Sequence, residues 1–475
     1  MYDFISKAVE VTNDVMYSYL LIVLLLAVGL YFTFRTKFVQ FRLLGESVRL
    51  VTEKSDGKNS VSAFQALMVS TASRVGTGNI VGVANAIAIG GYGSVFWMWM
   101  IALVGGASAF IESTLAQIYK KSDGKGGSYG GPAYYIEAAL KKRWLGVVFA
   151  VALIATYAIG FNMLCSYNLV TSLSQYSFYG DPTTSKVPLI CGALLAVLVA
   201  FCVLGGGKRI VKVTGFLVPV MGVTYILMAL VVMALNYSNL PMVFREIFAG
   251  AFDFKAIFGG FAGSALMHGI KRGLYSNEAG VGSAPNAAAA ANVSHPVKQG
   301  LVQTLSVFID TLLICTATAM MCLSSGIVPS ESLSGAPFVQ TALSATFGNF
   351  GFYFITASLL LFAFTTLLGN LFYCEGCLNY IAGKPLNLRT VKAFHIFACL
   401  VVFLGALLDF GLVWNLADVL MGVMAIINLP VIVILGKTAT DALKDYTRQR
   451  KAGKDPVFKA STIHLKEQTD FWQSR

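Results

Sequence analysis

Ala72-Ser73-Arg74-Val75-Gly76-Thr77-Gly78-Asn79 interrupts an otherwise apolar run, and the architecture can be worked out from this one segment. Two glycines among polar residues do not favour a regular helix, because each glycine costs about 1 kcal/mol relative to alanine. Ser276-Asn277-Glu278-Ala279-Gly280-Val281-Gly282 repeats the feature at the end of a second apolar run. The sequence therefore predicts two broken helices, each with a polar turn inside the protein.

The composition places both segments in a membrane protein. Of 475 residues, 56% are hydrophobic and only 12% charged, and the mean hydropathy is +0.70. Soluble domains carry about a quarter charged residues and disordered chains are poor in apolar residues, so both classes are excluded. A crossing helix needs about 20 apolar residues. This rule predicts an all-α polytopic membrane protein with eleven spans, near residues 16–34, 61–90, 94–118, 145–175, 187–205, 211–235, 255–282, 298–324, 350–374, 390–410 and 413–436.

The positive charges predict how these spans are oriented. The net charge is +12, and the lysines and arginines collect in alternate loops, as the positive-inside rule describes. We expect a multi-pass protein of the cell (inner or plasma) membrane with its N-terminus outside and its C-terminus in the cytoplasm. Residues 38–51 have amphipathic helical spacing and should lie along the inner interface, in contact with lipid. No nucleic-acid partner is expected, since no basic face with interleaved aromatic residues is present.

The two broken helices begin two sets of five spans. Because five is odd, the second set enters the membrane from the opposite side, and the repeats are inverted. We expect an outside segment, an extra helix and an inner amphipathic segment over 1–60, repeats over 61–240 and 241–436, and a cytoplasmic tail over 437–475. Glycine-interrupted helices at matching positions of inverted repeats indicate a binding site in mid-membrane. Close helix packing is the alternative interpretation of Gly76, Gly78 and Gly82.

Six segments carry a resemblance to a known family. They are Phe64-Gln65-Ala66-Leu67, Arg74 to Asn79, Gly130-Gly131-Pro132-Ala133-Tyr134-Tyr135-Ile136, Arg272-Gly273-Leu274-Tyr275-Ser276-Asn277-Glu278-Ala279-Gly280, Phe308-Ile309-Asp310-Thr311 and Phe362-Ala363-Phe364-Thr365-Thr366. Their order, from about Phe64 to Pro430, resembles the alanine/glycine:cation symporter family. The resemblance implies the inverted-repeat fold of the neurotransmitter:sodium symporters after one extra helix. It also implies a secondary active transporter, not an enzyme, that takes up a small neutral amino acid with sodium by alternating access.

The resemblance further implies where substrate and ion bind. The substrate carboxylate is expected at backbone N–H groups near the first break, and not at an arginine. Substrate contacts are expected from Gly76, Thr77, Gly78, Cys165, Leu169, Met267, Thr366 and Asn370. Sodium ligands are expected from Ala72, Val75, Asn79, Thr365 and Thr366, because hard oxygen ligands suit a small hard cation. Two alternatives stay open: the threonine hydroxyls could bond to the preceding turn, and a proton could be a coupling ion. A monomer should be sufficient for transport.

Two positions depart from the family pattern. Relatives often carry Asn-Met-Val-Gln where this chain has Asn162-Met163-Leu164-Cys165, and some carry Trp where Asn370 stands. The smaller side chains leave room in the pocket. One alternative is therefore a sodium- or proton-coupled transporter of a larger neutral amino acid such as glutamine or serine. Another, of a different class, is an amino-acid-permeable channel, since broken helices also line pores.

Ionisable residues within apolar segments need a separate explanation, because such groups are costly in a membrane and usually functional. One carboxylate could be a proton or second-cation site, or these residues could pair with one another and cap broken helix ends. The residues are Arg74, Glu112, Glu278 and Asp310. Two histidines in polar segments, His295 and His464, are expected to be exposed.

Overall fold

The computed structural model describes residues 2–53, 61–124, 127–181, 184–252, 264–330, 333–384, 386–408, 410–463, 465 and 469–472. Its helices up to the middle of the chain are α1 (Tyr2–Val15, Met16–Leu21 and Ile22–Arg35, continuous), α2 (Val39–Arg42), α3 (Leu44–Val51), α4 (Ala63–Arg74), α5 (Gly78–Gly90), α6 (Gly93–Ile118), α7 (Pro132–Leu140), α8 (Arg143–Leu173), α9 (Val187–Val203), α10 (Gly207–Leu235) and α11 (Leu240–Ala251). Two short antiparallel strands, β1 (Lys121–Ser122) and β2 (Ser128–Tyr129), join α6 to α7.

The remaining helices are α12 (Ala265–Asn277), α13 (Pro285–Ala290), α14 (Pro296–Ser324), α15 (Gly335–Phe347), α16 (Asn349–Ala382), α17 (Leu388–Gly405) and α18 (Phe410–Lys451). Short 3₁₀ turns occur at Ser177–Tyr179, Tyr237–Asn239 and Ala460–Ile463. In the described part of the chain, four helices contain a π-helical turn, at Met16–Leu21 in α1, Gly78–Gly82 in α5, Ala155–Phe161 in α8 and Ile309–Cys315 in α14. Such turns are rare in helices and often occur at functional sites.

Eight helices in the described ranges are long and apolar enough to cross a membrane, namely α1, α6, α8, α10, α14, α16, α17 and α18. The chain is thus a multi-pass membrane protein with an almost entirely helical fold, as predicted. The other expected spans correspond to α9, which has 17 residues, and to the pairs α4 with α5 and α12 with α13. Each half of a broken pair is too short to cross alone. The count of eleven stays a prediction.

Three helix boundaries differ from the expected ones. The first helix begins at Tyr2 instead of near residue 16, and its first part packs on α18, where Asn13 Nδ2 donates to Asn415 Oδ1 at 2.6 Å. The second broken helix resumes after residue 282 as α13. Residues 255–263 of the span expected near 255–282 lie outside the described residues. The last helix continues past residue 436 to Lys451, because α3 supports its final turns.

The two broken helices lie at the centre of the bundle. Helix α6 packs along α12 and α14, while α4 packs against α10, α14 and α16; α8, α9 and α17 pack together around this group. The contact between α4 and α16 is made at Gly369, where an added Cβ would lie 2.7 Å from the Ser73 main-chain nitrogen. Backbone contact at this point brings Thr366, one turn before Gly369, and Asn370, the residue after it, close to the first break.

A buried ion pair fastens α12 to α18. Asp418 is fully buried and accepts hydrogen bonds from Arg272 Nη1 and Nη2 at 3.1 and 2.8 Å, and Lys271 Nζ lies 3.1 Å from the same carboxylate. The Arg272 guanidinium also stacks 4.3 Å from the centre of the Trp414 ring. Two cations thus share one carboxylate, and the position of the second broken helix depends on that carboxylate.

The expectation that His295 is exposed is wrong. Its side chain is buried, accepts a hydrogen bond from Val297 N–H at 3.2 Å and packs edge-on against Tyr446 and Phe458. The chain beyond α18 covers it, since Phe458 N–H donates to Ser294 O at 2.9 Å. Burial lowers the pKa of the His295 imidazole, although its hydrogen bond with Asp445 opposes that shift. His464 lies outside the described residues.

We predict that Asp418→Ala destabilises the protein by about 3–5 kcal/mol, because two buried cations lose their common partner. Thermal unfolding of the purified protein in detergent measures this change. The control is Glu137→Ala, which breaks the exposed 3.3 Å pair with Arg143 and should change stability by less than about 0.5 kcal/mol. Equal melting temperatures for the two variants would show that the buried pair does not hold α12 in place.

Candidate functional site

The first break spans three residues between α4 and α5. Val75 has φ −75° and ψ 83°, outside the helical region, and the chain becomes helical again through the π turn that starts at Gly78. Asn79 Oδ1 accepts the Gly76 N–H at 2.8 Å and so closes the turn. The N–H groups at the start of a helix have no partner within that helix. This leaves the beginning of α5 as a place where an anion can be bound.

The second break follows Asn277 and is held open by left-handed backbone. Glu278, Gly280 and Gly282 have φ values of 54°, 86° and 90°. Glycine adopts such angles without steric penalty. An added Cβ at Gly282 would also lie 2.8 Å from the Phe149 ring, so glycine is needed there for space as well as for conformation.

Asp310, on the π turn of α14, connects the two breaks. Its Oδ1 accepts a hydrogen bond from Asn79 Nδ2 at 2.7 Å, and its Oδ2 accepts one from Ser276 Oγ at 2.7 Å. The carboxylate is completely buried. It therefore joins the start of α5 to the end of α12.

Two other buried carboxylates cap the second break. Glu278 accepts hydrogen bonds from Ser73 Oγ at 3.3 Å and Ser283 Oγ at 2.6 Å. Glu112, on α6, accepts from Gly280 N–H at 3.3 Å and from Asn428 Nδ2 at 2.9 Å. These contacts agree with the interpretation of the acidic residues as caps of broken helix ends.

Arg74 provides the positive charge among these acids. Its Nη1 donates to Gln303 Oε1 at 3.2 Å, and the guanidinium interacts electrostatically with Glu112, Glu278 and Asp310. Its Nε and Nη2 atoms have no hydrogen-bond partner within the described ranges. The arginine is thus surrounded by three carboxylates without forming a direct ion pair with any of them in the described part of the chain.

The two threonines proposed as sodium ligands point in different directions. Thr366 Oγ1 donates to the Ala72 carbonyl at 3.0 Å, across the contact between α16 and α4. Thr365 Oγ1 instead donates to the carbonyls of Leu361 and Phe362, at 3.0 and 3.2 Å, in its own helix. Only Thr366 of the two therefore reaches the first break.

The predicted substrate residues on α8 and α16 lie in a polar cluster beside the first break. Thr77 Oγ1 accepts from Asn168 Nδ2 at 2.9 Å and lies 3.9 Å from Cys165 Sγ. Asn370 accepts from Ser73 Oγ at 2.8 Å and donates to Asn162 Oδ1 at 3.0 Å. Each of these side chains is almost completely buried.

Two further predicted substrate residues, Leu169 and Met267, are also buried. Leu169 follows Asn168 on α8. Met267 lies in the first turn of α12, with its N–H bonded to Ser264 Oγ at 3.2 Å, and three helical turns separate it from the second break. Cys165 and Asn370 therefore join the cluster through hydrogen bonds, whereas the Met267 N–H bonds to Ser264.

Sequence reasoning missed Ser73, Asn162 and Asn168 as members of the cluster. A signal was available, because asparagine is unusual in an apolar helix such as α8. It also missed an aromatic row in which Tyr275 lies 4.8 Å from Phe161 and 5.3 Å from Trp414, measured between ring centres. Tyr275 contacts the first break, since a Cβ at Gly78 would lie 2.2 Å from its ring.

Crossing helices with two central breaks and buried polar groups between them define an inverted-repeat membrane transporter. The crystal structure of MhsT in complex with L-phenylalanine has this fold. It matches with a TM-score of 0.58 at 15% identity, over 81% of this chain and 92% of that chain. The chain belongs to the sodium:alanine symporter family, whose sequence model matches residues 2–460. The predicted family and fold are confirmed, and the protein is a membrane transporter of a symporter family, not an enzyme.

Two relatives show what is common within the family and what varies. "Probable sodium/glutamine symporter GlnT" of Bacillus subtilis is 46% identical over 99% of this chain and 97% of its own length. "Sodium/alanine symporter AgcS" of Methanococcus maripaludis is 38% identical over 94% of this chain and 98% of its own. Both names and the family description contain sodium, which implies sodium coupling, but the amino acids named differ.

We predict that Gly76→Ala abolishes most transport while Gly82→Ala preserves it. A Cβ at Gly76 would lie 2.3 Å from Thr366 Oγ1 and break its bond to Ala72, whereas the nearest atom to a Cβ at Gly82 is 3.6 Å away. Overpacking of this kind costs about 1–3 kcal/mol. Initial uptake rates in proteoliposomes, corrected for reconstituted protein, measure the difference; similar losses in both variants would contradict it.

Proposed function

We propose that the chain takes up a small neutral amino acid together with sodium by alternating access, and that both ligands bind at the first break. The observation that carries this proposal is the contact of Thr366 Oγ1 with the Ala72 carbonyl at 3.0 Å. It places an oxygen of the proposed second repeat, residues 241–436, beside an oxygen of the first, residues 61–240. An ion bound by both repeats would favour the arrangement that brings them together, which couples its binding to the conformational change.

The ion site consists of oxygen atoms from α4, from the break and from α16. The Thr366 hydroxyl and the carbonyls of Ala72 and Val75 are its ligands, and such hard ligands suit sodium. Asn79, the second residue of α5, stabilises the conformation of the break, because its Oδ1 accepts a hydrogen bond from the Gly76 N–H. Thr365 is left out of the ligand set, since its hydroxyl bonds within α16.

The substrate carboxylate binds at the N–H groups of Thr77 and Gly78. Helix starts attract anions because their N–H groups are unpaired and the helix dipole is positive there. Arg74 is less suited, because three buried carboxylates already offset its charge. The carboxylate and the sodium ion then lie on opposite sides of the same three-residue break.

A larger polar substrate, of the glutamine class, is the second candidate. Asn162 and Asn168 lie three residues before and after Cys165 on α8, so the three share one side of the helix. Asn162 Nδ2 and Asn168 Oδ1 have no hydrogen-bond partner in the described part of the chain. One free donor and one free acceptor complement a carboxamide, which has both a carbonyl acceptor and N–H donors. The name of GlnT, 46% identical to this chain, supports the same substrate class.

The remaining proposals concern the cellular arrangement. The protein lies in the plasma membrane. Its N-terminus is outside the cell and its C-terminus is in the cytoplasm, on the basis of the loop charges. One monomer is sufficient, since all the proposed ligands come from one chain. Proton coupling is the alternative to sodium, and an ion-gradient swap in proteoliposomes separates the two. Acceleration of uptake by substrate on the opposite side distinguishes a carrier from a channel.

We predict that Thr366→Val raises the sodium concentration for half-maximal uptake about tenfold, because it removes one oxygen ligand at nearly constant volume. Thr365→Val is the matched control, one residue away, and should leave sodium dependence unchanged. Uptake of labelled alanine and glutamine at varied sodium concentration measures both. If Thr365→Val has the larger effect, the ion is bound on the other side of α16.

We predict that Cys165→Gln shifts preference from glutamine towards alanine and glycine, because the longer side chain fills the space between Asn162 and Asn168. A difference of one or two methylenes in a pocket is worth about 1–3 kcal/mol. The control is Cys191→Gln, because Cys191 is a half-buried cysteine on α9, outside the polar cluster. Competition by glycine, alanine, serine and glutamine against one labelled substrate gives the ranking. An unchanged ranking in Cys165→Gln would show that this position does not face the substrate.

A further inference from the structure

A basic cavity of about 540 Å³ lies between the end of α1 and the last turns of α18, and the transport site does not use it. Six cationic side chains line it: Arg35, Lys37, Arg42, Lys444, Arg448 and Lys451. Among the residues that the structure describes, no acidic side chain lines it. The two groups of cations are about 400 residues apart in sequence and meet only in the folded chain.

Most of these charges have no counter-charge among the described residues. Lys444 pairs with Asp441 at 2.8 Å and Arg448 with Asp445 at 2.5 Å. The other four form no ion pair within the described ranges, and Arg42 donates only to the Thr36 carbonyl, at 3.3 Å. Topology signals require positive residues in a loop but do not require them to converge on one cavity. An anion bound among them would relieve their mutual repulsion.

The backbone holds the cavity in shape. Lys37 and Phe38 have φ values of 56° and 58°, left-handed angles that are uncommon for residues other than glycine. The Phe38 N–H donates to the Thr33 carbonyl at 2.7 Å and fixes this turn. One turn earlier in α1, the Phe32 ring packs directly on Gly436 of α18, where an added Cβ would lie 2.5 Å from the ring. Strained residues of this kind persist where the surrounding structure requires them, often at binding sites.

Apolar surface beside the cavity indicates the source of the anion. Phe34, Phe38 and Phe41 are 65%, 45% and 46% exposed, and their rings follow one another at centre distances of 5.4 and 6.5 Å. A free phosphate would not use this surface, but the acyl chains of a lipid would cover it. We propose that the cavity binds the phosphate of an anionic phospholipid, with the acyl chains against these three rings. Basic pockets between membrane helices are suited to such headgroups.

The test compares two variants that lose the same number of charges. Lys37→Gln/Arg42→Gln/Lys451→Gln removes three cations from the cavity. Lys208→Gln/Lys212→Gln/Arg389→Gln removes three exposed cations near the starts of α10 and α17 and is the control. Phosphatidylglycerol, phosphatidylcholine and inorganic phosphate are titrated separately into the purified, delipidated protein. The melting temperature and the lipid retained in native mass spectrometry are both measured.

We expect phosphatidylglycerol to stabilise the wild type and the control variant at the same concentration. The cavity variant should need roughly a hundredfold more, at about fivefold per charge. Equal responses of the two variants would overturn the site. Equal stabilisation by inorganic phosphate would overturn the lipid as its occupant, and equal retention of phosphatidylcholine would overturn selectivity for an anion. If the triple variant does not fold, Lys451→Gln alone should show about a fivefold shift.

Discussion

Asp310 receives hydrogen bonds from Asn79 and from Ser276, and through these two bonds a single buried carboxylate joins both broken helices. A broken helix inside a membrane is tolerated only where its freed polar groups find partners in the protein. Asp310, Glu278 and Glu112 supply those partners, and Arg74 offsets part of their charge. The irregular backbone needed for ligand binding thus depends on the buried carboxylates.

The two breaks are constructed differently. The first is short and lies against Thr366 and the asparagines of α8. The second is longer, depends on left-handed residues at Glu278, Gly280 and Gly282, and is capped almost completely by side chains. A break whose polar groups are already satisfied has little left to offer a ligand. This asymmetry is why the ion and the substrate are both assigned to the first break.

Charge outside the transport site has separate roles. Asp418 neutralises Lys271 and Arg272 and holds α12 against α18. At the other end of α18, the basic residues near Lys451 face those that follow α1, and the chain beyond the helix covers His295. The last helix therefore connects the second broken helix, the basic cavity and the C-terminal segment, which explains why it continues well beyond the length of a membrane span.

The sequence by itself determined that the protein is a helical membrane protein with breaks at residues 72–79 and 276–282, because hydropathy and glycine content act locally. It also indicated the family, since the motifs are contiguous. Only the tertiary structure decided that Thr366, and not Thr365, reaches Ala72, because adjacent residues on a helix point in directions about 100° apart. Only the tertiary structure decided that Asn162 and Asn168 lie beside the break and that His295 is buried. It also decided that Lys37 and Lys451 line the same cavity. These features depend on helix rotation and on contacts between distant segments, which local composition does not specify.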